Sequence, residues 1–155
     1  MGQRELAFLS RHRRVGLDTV LFIYHLEGTE PYSRFTTKLF TALSRGRFSA
    51  LASSLVFTEL LVRPFGLGDE RKIRACEVFL QGLPGLEIYP VDERVAKEGA
   101  RLRARFGLRT PDALHLATAL IHEATAFLTN DQEFHKAQGC GLEILILDEI
   151  FPSSP

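Results

Sequence analysis

The sequence predicts an α/β sandwich built on a mostly parallel β-sheet. Short β-like runs alternate with helix-like runs along most of the chain, a pattern typical of parallel strands joined by helical crossovers. The last β-like run, LEILIL, is apolar throughout, as expected for a strand covered by helices on both faces. In such sheets a ligand binds beyond the carboxyl ends of the strands, so we look for functional residues there.

The predicted elements follow one another without a repeat or a linker. The β-like runs cover residues 13–18, 48–54, 86–91, 126–130 and 142–147. The helix-like runs cover residues 19–26, 31–43, 56–62, 68–83, 92–107 and 110–124, and a short helix is predicted over 131–138. Pro64 is expected to close the third helix. Thr110 is a cap residue for the sixth, with proline at the first helical position.

Length and composition are those of one globular domain. The 155 residues are 45% hydrophobic and 25% charged, so we expect a single domain over residues 1–155, with a flexible tail over 151–155. No apolar run is long enough to span a membrane, and the amino terminus lacks the apolar core of a signal peptide, so we expect a cytoplasmic protein. Lys and Arg number 19, as do Asp and Glu, which excludes a strongly basic RNA-coating protein but not a local basic face.

Four carboxylates fall at or near the predicted strand ends. Asp18 interrupts the apolar stretch VGLDTVLFIYHL, where a charge is costly unless something pairs with it. Glu59 lies early in the third helix, Asp112 in the first turn of the sixth, and Asp131 directly after AFLT. Because a parallel sheet lets all four point at one crevice, they indicate a site for a hard cation, Mg²⁺ or Mn²⁺, which takes oxygen ligands. Such a site activates water and stabilises charge on a phosphoryl group.

Two of these carboxylates also have an ordinary structural interpretation. Asp112 favours the dipole of its own helix by its position in the first turn. Glu59 and Arg63 are four residues apart and fit an intrahelical ion pair. Asp18 has no comparable alternative.

Ordinary interpretations also exist for two polar side chains near the carboxylates. Asn130 and Glu133 fit a capping box, which would make Asp131 first-turn charge. His115 follows Asp112 by three residues, and a lone histidine on an apolar helix is more often a packed core residue than a ligand.

An arginine cluster precedes the sixth helix. Arg101, Arg105 and Arg109 are candidates for gripping RNA phosphate, and the first two share a helix face. The alternative is a solvated helix face. Two apolar stripes at helical spacing are expected in the core, although part of either would also suit an interface with a second protein. These stripes are Phe22, Ile23, Leu26 and Phe35, Leu39, Leu43.

The carboxylates lie in segments that resemble the motifs of PIN-domain nucleases. DTVLFIYHLEG, from Asp18, resembles the opening motif and is most similar to toxins of the VapBC toxin–antitoxin type. SSLVFTELLVRP resembles the second motif, with Glu59 at its acidic position. TPDALHLATAL resembles the third with Asp112, and FLTNDQEF the fourth with Asp131. The resemblance covers a core of about 13–148 and leaves 1–12 as an N-terminal extension.

The resemblance implies a PIN-like three-layer sandwich with a five-stranded sheet, and metal-dependent cleavage of RNA. Asp18, Glu59 and Asp112 would be metal ligands, and Asp131 a ligand or the holder of a metal-bound water. Thr129 and Asn130 would shape that corner of the site. The expected partners are RNA, a small antitoxin and a second copy of the chain.

Two other functions remain open. A non-catalytic PIN-like RNA-binding or scaffold module is one, although such a module has no need to keep four mutually repelling charges. A phosphatase or phosphotransfer domain is the other. It usually needs a second aspartate two residues after the first, where this chain has Val20, and a lysine near the site.

Overall fold

A computed structural model describes residues 5–150, so that residues 1–4 and the predicted tail 151–155 lie outside the described part of the chain. The five strands form one sheet in the order β3-β2-β1-β4-β5, and all four pairings are parallel. The strands are β1 Arg14–Leu17, β2 Ser49–Ser53, β3 Leu86–Tyr89, β4 Ala126–Thr129 and β5 Glu143–Ile146. The predicted five-stranded α/β sandwich is confirmed.

Helices connect the strands and cover both faces of the sheet. They are α1 Thr19–Glu27, α2 Tyr32–Ser44, α3 Leu55–Leu67, α4 Glu70–Gly82, α5 Glu93–Phe106, α6 Thr110–Ile121 and α7 Leu147–Ile150. Residues 5–150 also include two 3₁₀ helices, Ala7–Ser10 and Gln132–Ala137. Within residues 5–150, no helix is long and apolar enough to cross a membrane.

The sheet separates two hydrophobic cores. Successive residues of a strand point to opposite faces, so Ala126 and Leu128 of β4 enter one core and Phe127 the other. The first core is shared with helices α1 to α4, and the second with α5 and α6. Both stripes noted in the sequence pack against the first core, with Phe22, Phe35, Leu39 and Leu43 fully buried, which confirms the core interpretation.

Gly16 lets helix α6 approach the sheet closely. A Cβ atom at Gly16 would lie 2.7 Å from Cβ of Ala119 on α6 and 3.1 Å from the ring of Phe127. The absence of a side chain at this point of β1 therefore sets the separation between strand and helix. Asp18 directly follows β1, and Asp112 lies in the first turn of α6.

The structure corrects three local predictions. Helix α3 continues past Pro64 to Leu67 and ends at Gly68, whose φ of 63° closes the helix. Proline loses one hydrogen bond to the preceding turn, and burial of its ring among apolar neighbours offsets that loss. Thr110 is the first helical residue of α6 rather than its cap, which is Arg109. The final strand ends at Ile146, and the short helix α7 follows it.

The amino-terminal segment packs on the edge of the sheet where the strands begin. Phe8 is buried in the first core. Nδ1 of His12 lies 2.8 Å from the hydroxyl of Thr125, and its Nε2 contacts the carboxylate of Glu143. Thr125 precedes β4 and Glu143 begins β5, so this segment is tied to the edge opposite the carboxyl ends of the strands.

Candidate active site

The carboxyl edge of the sheet carries a pocket at the switch point of its topology. After β1 the chain passes to β2 on one side, and after β3 it crosses to β4 on the other side of β1. Crevices of this kind are where open α/β sheets bind ligands. The pocket is lined by all four predicted carboxylates, Asp18, Glu59, Asp112 and Asp131, together with Arg109 and Asn130.

Asp18 is held at the end of β1 by two donors. Its Oδ1 accepts the backbone N–H of Thr19 at 2.8 Å and its Oδ2 accepts the hydroxyl of Thr129 at 2.6 Å. Burial raises the pKa of Asp18, and the nearby His115 and the two hydrogen bonds only partly oppose that shift. Asp18 is therefore a fixed carboxylate whose negative charge is poorly solvated.

Glu59 reaches the pocket from α3. Its Oε1 accepts the hydroxyl of Thr19 at 2.8 Å and lies 2.5 Å from Nε2 of His115. Burial raises the pKa of Glu59, but the hydrogen bond and charge of His115, with the bond from Thr19, outweigh burial and leave the pKa lowered. In the described part of the chain Glu59 does not form the intrahelical pair with Arg63 that its spacing allows.

His115 is a site residue that sequence reasoning assigned to the core. Its side chain is buried, and its Nε2 also lies 3.9 Å from Oδ1 of Asp18. Burial lowers its pKa, yet the surrounding carboxylates of Glu59, Asp18 and Asp112 leave it raised. Its other ring nitrogen, Nδ1, is buried without a hydrogen-bond partner among residues 5–150. The sequence signal for this role was its spacing in TPDALHLATAL, because residues three apart on a helix, such as Asp112 and His115, lie on the same face.

Arg109 bridges the two remaining carboxylates. Its Nε donates to Oδ2 of Asp112 at 3.2 Å and its Nη2 donates to Oδ2 of Asp131 at 3.4 Å. Burial raises the pKa of Asp112 in spite of this ion pair. The side chain of Arg109 is 70% exposed, so it can leave the carboxylates without disturbing the core.

Thr129 and Asn130 shape this corner by linking elements. The Thr129 hydroxyl accepts the backbone N–H of Asp131 at 3.1 Å while donating to Asp18. Asn130 donates from Nδ2 to the hydroxyl of Tyr24 and accepts the backbone N–H of Asp148. The capping box predicted for Asn130 is wrong, because Asp131 caps the following 3₁₀ helix through the N–H of Glu133.

A sequence model of the PIN domain matches residues 15–139. The chain belongs to the PIN domain family. No curated protein sequence matches it significantly.

Several solved structures share this PIN fold at low sequence identity. A toxin–antitoxin complex from Klebsiella pneumoniae is 21% identical with a TM-score of 0.61, covering 86% of this chain and 97% of that one. VapBC2 from Rickettsia felis, bound to a promoter DNA fragment, is 20% identical with a TM-score of 0.59, covering 84% and 96%. FitAcB from Neisseria gonorrhoeae is 21% identical with a TM-score of 0.62, covering 86% and 97%.

The arginine cluster divides into two parts in this PIN domain. Arg109 lies in the acidic pocket. Arg101 pairs with Glu98 on the surface of α5 at 2.8 Å, and the guanidinium of Arg105 lies 4.7 Å from the ring centre of Phe106. The three side chains therefore have different partners, and their joint role in binding phosphate stays a prediction.

The carboxylate oxygens that line the pocket are of the ligand type that a hard divalent cation prefers. Four carboxylates supply oxygen ligands, and burial raises the pKa of both Asp18 and Asp112, so each gains from a nearby positive charge. Among residues 5–150, however, no group of three or more His, Cys, Asp or Glu side chains is already arranged to hold an ion. Arg109 now pairs with Asp112 and Asp131, and His115 contacts Glu59, so binding a cation requires side-chain movement, above all by the exposed Arg109.

Proposed function

We propose that this PIN domain is a metal-dependent endoribonuclease that hydrolyses RNA phosphodiester bonds as the toxin of a toxin–antitoxin pair. The observation that carries the proposal is the convergence of Asp18, Glu59, Asp112 and Asp131, from four elements, on one pocket at the topological switch point. A structural role does not account for four carboxylates in one half-buried place, because their mutual repulsion costs folding free energy.

Side chains around the pocket orient the carboxylates for this role. Thr19 contacts both Asp18 and Glu59, and Thr129 contacts both Asp18 and the backbone of Asp131. A Mg²⁺ or Mn²⁺ ion held by these carboxylates would activate water and neutralise charge developing on the phosphoryl group. His115 acts as a positioning residue, since its Nε2 contacts the carboxylates of Glu59 and Asp18 and the hydroxyl of Thr19.

Arg109 is the pocket residue best suited to meet the RNA. Its exposed guanidinium carries permanent charge and a planar set of donors that matches phosphate oxygens. Binding of RNA would exchange its carboxylate partners for a phosphate. A role in RNA binding for Arg101 and Arg105 stays a prediction.

A small antitoxin is the partner that we propose to cover the site. One of the structures described above is a toxin–antitoxin complex and another is VapBC2, and the likeness of this chain to them supports such a partner. The pocket continues onto an exposed apolar face of α3, where Val62 lines the pocket and Phe65 lies one turn further on. A second copy of the chain stays a prediction, which the mass of the purified protein in solution checks.

The phosphatase alternative finds no support in the pocket. The described pocket lining contains Arg109 but no lysine, and Val20 occupies the position of a second aspartate. Incubating the purified protein side by side with a mixed RNA pool and a phosphate-monoester dye, each with Mn²⁺, tests all three functions. We expect cleavage of RNA alone. Hydrolysis of the dye alone would favour the phosphatase, and RNA binding without cleavage would favour the non-catalytic module.

A further inference from the structure

We propose that Tyr24 and Tyr32 form a nucleobase-stacking platform beside the acidic pocket. The inference rests on the proposed ribonuclease function, and it identifies a second part of the RNA, a base flanking the cleaved phosphate, as a ligand of this chain. Two stacked aromatic rings, a closed set of hydrogen bonds and the charge of the pocket carry it.

The two tyrosines come from successive helices and stack on each other. Tyr24 lies in α1 and Tyr32 begins α2, and their ring centres are 4.3 Å apart with planes inclined by 13°. Both side chains are partly exposed. Each ring covers one face of the other, and exposed aromatic surface beyond such a stack is where proteins stack the bases of single-stranded RNA.

Hydrogen bonds fix the phenol ends of both rings. The Tyr32 hydroxyl donates to Oδ1 of Asp148 at 2.6 Å, and the backbone N–H of Asp148 donates to Oδ1 of Asn130 at 2.9 Å. Nδ2 of Asn130 then donates to the hydroxyl of Tyr24 at 3.0 Å. Stacking closes this circuit of four residues, so the platform is ordered before any RNA arrives. Preorganisation lowers the entropy cost of binding.

The platform begins at the rim of the pocket. Asn130 lines the pocket and stands in the chain between Thr129 and Asp131. For a single-stranded RNA with a phosphate at the carboxylates, we place a base that flanks this phosphate on the stacked pair. Asn130 is therefore a positioning residue that joins the acidic pocket to the stacked pair.

Charge explains why the RNA needs such a platform. The pocket is lined by five acidic side chains and one arginine, so without a bound cation it repels the phosphates of a polyanion. These acidic residues are Asp18, Glu59, Asp112, Asp131 and Glu133. The whole chain has a formal net charge of zero and offers no strong overall attraction. Stacking on an aromatic face provides affinity that does not depend on charge, and it tolerates any base.

The competing interpretation is that the pair only packs α1 against α2, since both rings also touch the first core. Binding measurements separate the two. In an Asp18→Asn background with Mn²⁺, which keeps the RNA intact, we expect Tyr24→Leu and Tyr32→Leu each to weaken binding of a short mixed-sequence RNA by about 5- to 150-fold. Tyr32→Phe, which keeps the ring, should retain most of the affinity. Melting temperatures confirm that each variant is folded.

A spectroscopic test leaves the platform unaltered. The chain has three tyrosines and no tryptophan, and the third tyrosine, Tyr89, stacks on His122 in a separate cluster. In an Asp18→Asn, Tyr89→Phe protein all tyrosine fluorescence comes from Tyr24 and Tyr32. We expect RNA to quench that fluorescence and an abasic oligonucleotide of equal length to quench it much less.

The outcomes distinguish this inference from the proposed function. Equal quenching by RNA and the abasic strand, with folded leucine variants that bind RNA as tightly as the background, would overturn the platform and leave the ribonuclease proposal standing. A wild-type protein that, with Mn²⁺, neither binds nor cleaves RNA would overturn both.

Discussion

The hydroxyl group of Thr129 donates a 2.6 Å hydrogen bond to Oδ2 of Asp18, across the boundary between strands β4 and β1. The same hydroxyl oxygen accepts the backbone N–H of Asp131. One buried side chain therefore holds the carboxylate of Asp18 and the backbone of Asp131 at the switch point of the sheet.

We predict that Thr129→Val lowers the free energy of unfolding by about 1–3 kcal/mol, because the nearly isosteric valine leaves Oδ2 of the buried Asp18 carboxylate without its donor, while Oδ1 keeps the N–H of Thr19. The variant should also cleave RNA more slowly, since Asp18 loses its fixed orientation. Thr118→Val is the matched control, because that threonine is equally buried but donates to the carbonyl of Leu114 in its own helix. Denaturant unfolding and cleavage rates measure both effects. A Thr129→Val protein that cleaves RNA no more slowly than Thr118→Val would contradict the orienting role.

We predict that Asp18→Asn abolishes RNA cleavage and leaves the metal-free protein at least as stable as the wild type. Burial raises the pKa of Asp18 above its ordinary value, so the ionised side chain costs folding free energy at neutral pH, and the amide removes that cost. Asp69→Asn is the control. Asp69 caps α4 away from the pocket lining, and asparagine caps a helix about as well as aspartate. Calorimetry and an RNA assay with Mn²⁺ are the measurements. Cleavage by Asp18→Asn at the wild-type rate would show that Asp18 is not a site residue.

We predict that Gly16→Ala lowers the free energy of unfolding by about 1–3 kcal/mol through overpacking. The new methyl group would stand 2.7 Å from Cβ of Ala119, and a contact that short forces α6 away from β1. Because α6 carries Asp112 and His115, cleavage should fall as well. Gly66→Ala is the control, since a Cβ at Gly66 meets nothing within 4 Å. Equal stability of the two variants would show that the approach of α6 tolerates a methyl group.

The sequence was most informative where a residue conflicts with its local surroundings. Asp18 is recognisable because a charge within an apolar run needs a reason, and the structure shows two hydrogen bonds and a pocket as that reason. The alternation of strands and helices could also be predicted, because buried side chains recur at different intervals along a strand and along a helix, and these intervals can be read from the sequence.

The roles of His115 and Arg109 depended on contacts that the sequence does not display. His115 meets Glu59, which is 56 residues away in the chain, so its apolar helix suggested only a core residue. Arg109 seemed to continue the series of Arg101 and Arg105. Helix α5 ends at Phe106, however, and the turn through Gly107 separates Arg109 from that helix and places it in the pocket.

We predict that the salt dependence of RNA binding shows whether Arg101 and Arg105 bind phosphate or only form a solvated helix face. If they grip phosphate, Arg101→Gln, Arg105→Gln should flatten the plot of log K for RNA against log salt by roughly 0.7 per lost single-strand contact. Titrations of RNA binding at several salt concentrations in the Asp18→Asn background measure the slope. Arg74→Gln, an exposed change on α4, is the control. A slope equal to that of the control would assign both side chains to the solvated face.

The last prediction concerns the competition between Arg109 and a divalent ion for the same carboxylates. Arg109 donates to Asp112 and Asp131, so Arg109→Gln should lower the melting temperature of the metal-free protein by leaving these two charges unneutralised. A cation that binds only the folded state stabilises it by about 2.7 kcal/mol at 100 times its dissociation constant, and each kcal/mol raises the melting temperature by roughly 2–4 °C for a domain of this size. Mn²⁺ should therefore raise the melting temperature of the wild type, and of Arg109→Gln still more.

Titration calorimetry should likewise give a smaller dissociation constant for Mn²⁺ in Arg109→Gln, and a chelator should reverse the gain in melting temperature. Arg101→Gln is the matched control, because Arg101 is an equally exposed arginine paired with Glu98 outside the pocket. If neither Mn²⁺ nor Mg²⁺ changes the melting temperature of the wild type, and elemental analysis finds no ion already bound, the metal-site proposal is wrong. If the wild type binds Mn²⁺ with the same affinity as Arg109→Gln, the metal site stands. Displacing Arg109 from the carboxylates then adds nothing to the free energy of Mn²⁺ binding.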